Sequence, residues 1–210
     1  MRALVFANGE PPSPSLAKEL VVGADIVVAA DGGAEKALAC GIHPDSVVGD
    51  LDSVTPRVRA ALPATAFHKL ADPDRSDMEK VIDYCLELGA DAIDIVGAGG
   101  GRADHALANL SVLTRYRGQA RIRLVDEQFS ISVVDGEETI EALPGTVISL
   151  VALGECRGVT TRGLRWELDD MPLSFGTQGV HNEISTSPAT ISVRQGELLL
   201  FKGRWIEKHR

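Results

Sequence analysis

The sequence predicts an α/β domain built on a mostly parallel sheet, followed by an all-β sandwich or barrel. Three observations carry this. Through about residue 120, short apolar runs alternate with segments of helical period, the pattern of a parallel sheet with helices on its faces. Beyond Gly118 the chain turns to short runs rich in Val, Ile, Thr, Ser and Leu, without a convincing helical period. Turn signals at Asp135-Gly136, Pro144-Gly145 and Gln195-Gly196 divide those later runs.

In order, strands are expected over residues 3–7, 26–30, 46–48, 66–70 and 92–96, where the apolar runs are four to eight residues or shorter and bounded by polar turns. Helices are expected over 15–22, 34–40, 56–62, 76–88 and 104–116. The fourth helix has the clearest start, because Ser76 and Glu79 form a capping box. In the later part, 147–153, 190–193 and 198–201 are the clearest strands. The two domains are therefore expected at 1–120 and 121–210, with the boundary between Arg117 and Asp126. No internal repeat or low-complexity tract interrupts them.

Composition bounds the function. With 44% hydrophobic and 24% charged residues, the chain is ordinary globular protein, long enough at 210 residues to bury a real core. A formal charge of −9 argues against nucleic acid or an anionic membrane as partner, since both call for a basic face. Cys40, Cys85 and Cys156 are odd in number and form no CxxC pair, which fits a reduced cytosol. The five apolar residues after Met1-Arg2 are too few for a signal segment, and no run approaches a membrane span. A cytoplasmic protein is expected.

Three early strands end in acidic or glycine-rich turns: Asp31-Gly32-Gly33, Gly49-Asp50-Leu51-Asp52-Ser53 and Gly97-Ala98-Gly99-Gly100-Gly101-Arg102. In an open parallel sheet all of these reach the rim where ligands bind, outside the carboxyl ends of the strands. Asp50 and Asp52, two apart in an extended turn, suit Mg2+ held by one or two carboxylates plus phosphate oxygens. An Asx-type turn ahead of the helix at Pro56 explains the same residues. In Asp72-Pro73-Asp74-Arg75-Ser76-Asp77, capping accounts for Ser76, and the helix dipole accounts for Asp77 as well as metal ligation does.

Gly97 to Arg102 follows a strand and opens a helix, a place where backbone N–H groups hold phosphate. Arg102 stands where a dinucleotide fingerprint has its third glycine, and no acidic residue follows at the right distance, which weakens a dehydrogenase reading. A Walker A loop is excluded, since the chain has no Gly-Lys dipeptide. Arg102 offers a forked donor to phosphate oxygens. His105 and Asn109 share a face of the next helix, and a histidine beside Asp104 is either a base or a structural hydrogen-bonding residue. In the second half, Trp166 is an aromatic residue able to stack a heterocycle, although a tryptophan read alone is more often core.

Taken together, these segments resemble the thiamine pyrophosphokinase (thiamin diphosphokinase) family. The likeness rests on Asp31-Gly32-Gly33, Gly49-Asp50-Leu51-Asp52-Ser53, Ser76-Asp77-x-Glu79, the run from Gly97 through Arg102, Asp104, His105 and Asn109, and Gly163-Leu164-Arg165-Trp166. It implies an α/β, Rossmann-like nucleotide-binding domain followed by a β-sandwich, in homodimers whose active sites lie between the first domain of one chain and the second of the other. It implies Mg2+ on Asp50, Asp52 and Asp77 with Asp31 close by. Nucleotide or phosphate contacts would come from Asn8, Gly32, Gly33, Gly99, Gly100, Arg102, His105 and Asn109, and the thiamine pocket from Trp166 and Asn182. The implied reaction moves the pyrophosphoryl group of ATP to the thiamine hydroxyl, with Asp52, Asp77, Arg102 and Asp104 as catalytic candidates and Asp52 or Asp104 as base. Many members carry Ser-Asn-Glu where this chain has His181-Asn182-Glu183. That difference keeps open a second acceptor, such as a hydroxymethyl pterin. A nucleotide-binding regulatory module is the reading from another class.

Overall fold

A computed structural model describes residues 1–207. Residues 208–210, the end of the expected second domain, lie outside the described residues. The chain divides into two compact units, Met1–Glu127 and Gln128–Arg210.

The first unit alternates β1 (Arg2–Phe6), α1 (Pro14–Val21), β2 (Ile26–Ala30), α2 (Gly33–Ala39), β3 (Ser46–Gly49), α3 (Pro56–Ala61), β4 (Ala66–Lys69), α4 (Asp77–Glu87), β5 (Ala92–Val96), α5 (Ala103–Arg115) and β6 (Arg121–Val125). Its strands lie in the order β6-β5-β1-β2-β3-β4. Every pairing in that series is parallel. The chain winds outward from β1 to β4, then returns to the other side of β1 as β5. The winding therefore reverses between β1 and β5, and it is at the carboxyl ends of the strands at such a point that a doubly wound sheet binds its ligands.

Local sequence explains the elements. Ser13 and Thr55 cap α1 and α3 ahead of Pro14 and Pro56. The expected capping box of α4 is present, with Ser76 and Glu79 bonded reciprocally. Leu4, Phe6, Val27, Ala29 and Val47 pack with Leu16, Leu20 and Val58 in one core. Truncating Phe6, which has no exposed surface, would cost about 3 kcal/mol or more.

Arg121–Val125, expected in the second half, belongs to the first unit and pairs in parallel with β5. The change of composition near Gly118 sets the expected boundary ahead of this strand, and the sequence names no partner for its arginines. In fact Arg123 is engaged: with Arg2 it forks onto the carboxylate of Asp94, which is 3% exposed, at 2.5 to 3.0 Å.

The second unit is β throughout its described residues: β7 (Phe129–Val133), β8 (Glu137–Ile140), β9 (Thr146–Ala152), β10 (Glu155–Arg162), β11 (Met171–Ser174), β12 (Asn182–Glu183), β13 (Ala189–Ser192) and β14 (Leu198–Ile206). Strand β14 lies antiparallel between β7 and β9, with β12 beyond β9. A second antiparallel sheet runs β11-β10-β13-β8. Ile148, Leu150, Leu198 and Leu200 of the first group share a core with Val159, Leu173 and Ile191 of the other.

Candidate active site

A cleft of about 770 Å³ opens at the carboxyl ends of β1, β2, β3 and β5, lined among others by Asn8, Asp50, Asp77, Gly97 and Arg102. Close backbone packing creates it. A methyl group on Gly33 would stand 2.0 Å from the Phe6 carbonyl oxygen, so only glycine lets α2 start this close to β1. Asp31 and Leu51 both hold left-handed backbone, φ 45° and 64°. Non-glycine residues rarely adopt this, and it gathers where the surrounding fold fixes a functional turn.

One carboxylate oxygen from each of Asp31, Asp50 and Asp77 lies within 4.8 Å of the others. Asp31 is 2% exposed, and its Oδ1 is buried with no hydrogen-bond partner. Its Oδ2 accepts from the Ser53 backbone N–H at 3.3 Å. Burial pushes the Asp31 carboxyl above its ordinary value; the hydrogen bond from Ser53 opposes this, and the charges of Asp77, Asp50 and Asp52 add to it. A buried carboxylate with one oxygen lacking a donor, grouped with two more carboxylates, suits a hard divalent cation with oxygen ligands. The residues present fit that group.

Asp52 stands apart from these three. Its Oδ1 accepts the Ser53 hydroxyl at 3.0 Å, and its backbone N–H donates to Asp50 Oδ1 at 3.2 Å. Both readings of this turn thus have a physical counterpart: Asp50 joins the acidic group and also closes an Asx turn. The extended geometry expected for residues 50–52 is broken by the left-handed Leu51.

On the opposite wall, Gly9 N–H donates to Gly97 O at 2.8 Å and Glu10 N–H to Gly99 O at 2.9 Å, joining the loops after β1 and β5. Gly97, Gly100 and Gly101 all have positive φ. Asn109 donates its side-chain amide to Ala98 O at 2.7 Å, fixing the loop from α5. The N-cap of α5, Arg102, makes no side-chain capping bond, unlike the caps of α1, α3 and α4. Its guanidinium forks onto exposed Asp104 at 3.1 and 2.6 Å. That hydrogen bonding holds the Asp104 carboxyl down at about 2. Asp104 is therefore a weak base at neutral pH and a strong partner for Arg102. His105 lines the cleft, its backbone N–H donating to Asp104. Asn8 lies over Gly32, where a Cβ would sit 2.5 Å from its amide.

Two cleft residues escaped sequence reasoning, Lys36 and Lys80. Lys80 donates to Asp77 Oδ1 at 3.0 Å. The available signal was the i,i+3 spacing of Asp77 and Lys80 on one helix face. Lys36 had no comparable signal, since a lysine in a helix is ordinarily solvated.

In the second unit, Trp166 is 54% exposed, so the core reading of an isolated tryptophan fails here. Beyond Gly163, at φ 78°, the chain leaves β10; Leu164 enters the core and Trp166 lies in the turn after it. Arg165 covers one face of the Trp166 ring at 4.8 Å and binds buried Glu183 at 2.6 Å. Asn182 fastens the turn, accepting from Trp166 N–H at 3.2 Å and donating to Trp166 O at 2.6 Å. Trp166 and Asn182 are thus together, and His181, just before Asn182, holds left-handed φ 65°.

The first unit is a parallel α/β fold with carboxylates and a glycine loop facing one cleft, the architecture of a protein that handles phosphate groups. Residues 17–125 match the family description "Thiamin pyrophosphokinase, catalytic domain" and residues 133–198 match "Thiamin pyrophosphokinase, vitamin B1 binding domain". Thiamine pyrophosphokinase of Bacillus subtilis is 33% identical over 186 residues, covering 83% of this chain and 86% of the relative. Crystal structures of the thiamine pyrophosphokinases from Bacillus subtilis and Geobacillus thermodenitrificans superpose with TM-scores of 0.82 at 27% and 26% identity. Those superpositions cover 98% of this chain and 100% and 98% of theirs. The chain belongs to the thiamin pyrophosphokinase family, a family of transferases.

Proposed function

We propose that this protein transfers the pyrophosphoryl group of Mg-ATP to the hydroxyl of thiamine, giving thiamine diphosphate and AMP. The observation that carries the reading is the grouping of buried Asp31, whose Oδ1 has no hydrogen-bond partner, with Asp50 and Asp77, one oxygen of each within 4.8 Å of the others, where Asp50 and Asp77 line the same cleft as the glycine loop. Asp31, Asp50 and Asp77 would hold Mg2+, with Asp52 outside their group but bonded to Asp50 in the same turn. Bound there, the ion supplies charge neutralisation for the phosphates.

The chain's own residues do the rest by position and charge. The start of α5, which has no side-chain capping bond, and the glycine loop before it, Gly99 and Gly100 included, would offer N–H groups to phosphate oxygens, and the cleft residues Arg102, Lys36 and His105 would add donors. Asp104 orients Arg102. Asp52 is left as the carboxylate to take the hydroxyl proton as the oxygen attacks the β-phosphorus and AMP departs. The winding of the first unit supports reading it as a Rossmann-like nucleotide domain, within the expected catalytic domain 1–120. The half-exposed Trp166, tied to Asn182, supports a role for the second unit in binding the flat thiamine ring, and the dimerisation expected of residues 121–210 rests on the family resemblance.

The working form in this reading is a cytoplasmic homodimer, each active site taking its acceptor residues from the partner's second unit, with no nucleic acid or membrane involved. Three unpaired, buried cysteines agree with a reducing compartment. Among the described residues no helix is long and apolar enough to cross a membrane. The reading is tested by incubating pure protein with Mg2+, ATP and thiamine. Equal amounts of AMP and thiamine diphosphate are expected; ADP, or nucleotide release independent of thiamine, contradicts it.

A further inference from the structure

Lys80 is nearly enclosed, its side chain 7% exposed, whereas its partner Asp77 is 36% exposed and faces the cleft. A lysine so deeply buried needs a counter-charge, and its ammonium finds one in Asp77 Oδ1 at 3.0 Å. The same Asp77 contributes an oxygen to the acidic group with Asp31 and Asp50. The nearly enclosed ammonium is thus paired with the more exposed carboxylate of Asp77, at the edge of the cleft that both residues line. Three carboxylates and one ammonium leave a net charge of minus two, the charge a single divalent ion cancels.

The position is built rather than incidental. The Lys80 backbone N–H donates to Ser76 O at 3.0 Å, one turn into the helix that the Ser76–Glu79 capping box starts, so Asp77 and Lys80 share a face by construction. Gly49 leaves room for the carboxylate: a Cβ there would stand 3.2 Å from an Asp77 carboxylate oxygen.

We propose that Lys80 is the internal counter-ion of the acidic group: it positions Asp77 in the ion-free protein and sets how tightly one divalent cation is held. This rests on the reading of Asp31, Asp50 and Asp77 as a cation site. Lys80 acts through Asp77 and is a positioning residue. Its charge opposes the incoming ion, so removing it strengthens cation binding, an effect that structural damage would not produce.

The test is titration of Mn2+ alone into the substrate-free full chain, with free Mn2+ followed by electron paramagnetic resonance. Lys80→Met is expected to bind Mn2+ about tenfold more tightly than wild type, and Lys80→Arg with wild-type affinity. Equal or weaker binding by Lys80→Met overturns the proposal. Wild-type binding that Asp50→Asn leaves unchanged overturns the cation site itself, and the proposal with it, so the two failures are distinguishable. Should Lys80→Met not fold, the wild type decides: saturating Mg2+ alone must shift the side-chain methylene resonance of Lys80, assigned through Lys80→Arg, and an unmoved resonance overturns the proposal.

Discussion

The side-chain amide of Asn109 donates to the carbonyl of Ala98 across 2.7 Å, binding the second turn of α5 to the loop that precedes it. Three glycines in that loop have positive φ, so its backbone has more freedom to lose than an ordinary turn. Asn109→Leu deletes the donor and leaves the Ala98 carbonyl to find another. The KM for ATP should rise about tenfold, with a stability loss of about 1 kcal/mol in urea unfolding. A KM within a factor of two of wild type would show that the loop holds its shape without Asn109.

Asp31 sets up an opposition between stability and function. Burial, reinforced by the neighbouring carboxylates, raises its folded-state pKa above the ordinary 3.8. An acid of this kind destabilises the fold when ionised: the penalty is absent below 3.8, grows as pH climbs through the window up to the raised value, and is complete above it. Without divalent ions, Asp31→Asn should therefore melt higher than wild type at pH 7, and the difference should vanish toward pH 3.5. Mg2+ should raise the wild-type Tm and leave the variant's unchanged. Turnover should fall at least a hundredfold. Calorimetry across pH, with and without Mg2+, decides it; a variant that melts lower at pH 7 is the opposing result.

Asp94 is the opposite case, a buried carboxylate fully occupied by two guanidinium groups from the flanking strands β1 and β6. Asp94→Ala leaves Arg2 and Arg123 without their shared partner and should cost about 3 kcal/mol of unfolding free energy. Because the triad stands away from the cleft, kcat per folded molecule should hold. Parallel urea unfolding and active-site titration would separate the two effects.

Trp166 is half exposed, so Trp166→Ala should change stability by less than about 1 kcal/mol. The KM for thiamine should rise about tenfold as the stacking surface is lost, while the KM for ATP stays constant. Equal effects on both substrates would place Trp166 outside the acceptor pocket.

Mixing experiments address the homodimer reading. Assayed at thiamine well below the wild-type KM, Asp50→Asn and Trp166→Ala chains, each weakly active alone under those conditions, should regain turnover when unfolded together and refolded. A mixed dimer then carries one site with both defects and one with neither. No recovery would mean that a single chain supplies both residues.

The sequence carried the alternating elements of the first unit because each strand is a short apolar run and α4 announces itself through Ser76 and Glu79. It set β6 in the second domain because the composition changes near Gly118, ahead of that strand, and the engagement of Arg123 depends on Asp94 from another strand. Asp50 and Asp77 were legible from the acidic turns. Asp31 was legible as their neighbour; that it, rather than Asp52, groups with them was not, since the left-handed Leu51 between Asp50 and Asp52 has no signal in the sequence. Lys36 and Lys80 stayed hidden because pattern reading assigns helical lysines to solvent. Trp166 was legible as chemistry and misleading as packing, since composition cannot say that Gly163 turns the chain outward.

The central claim is that the β- and γ-phosphates move together, and position-labelled ATP tests it most directly. With label at the β-phosphate in one reaction and at the γ-phosphate in another, both labels should appear in thiamine diphosphate and the AMP should be unlabelled. Label entering product only from the γ-phosphate, with ADP released, would contradict the account.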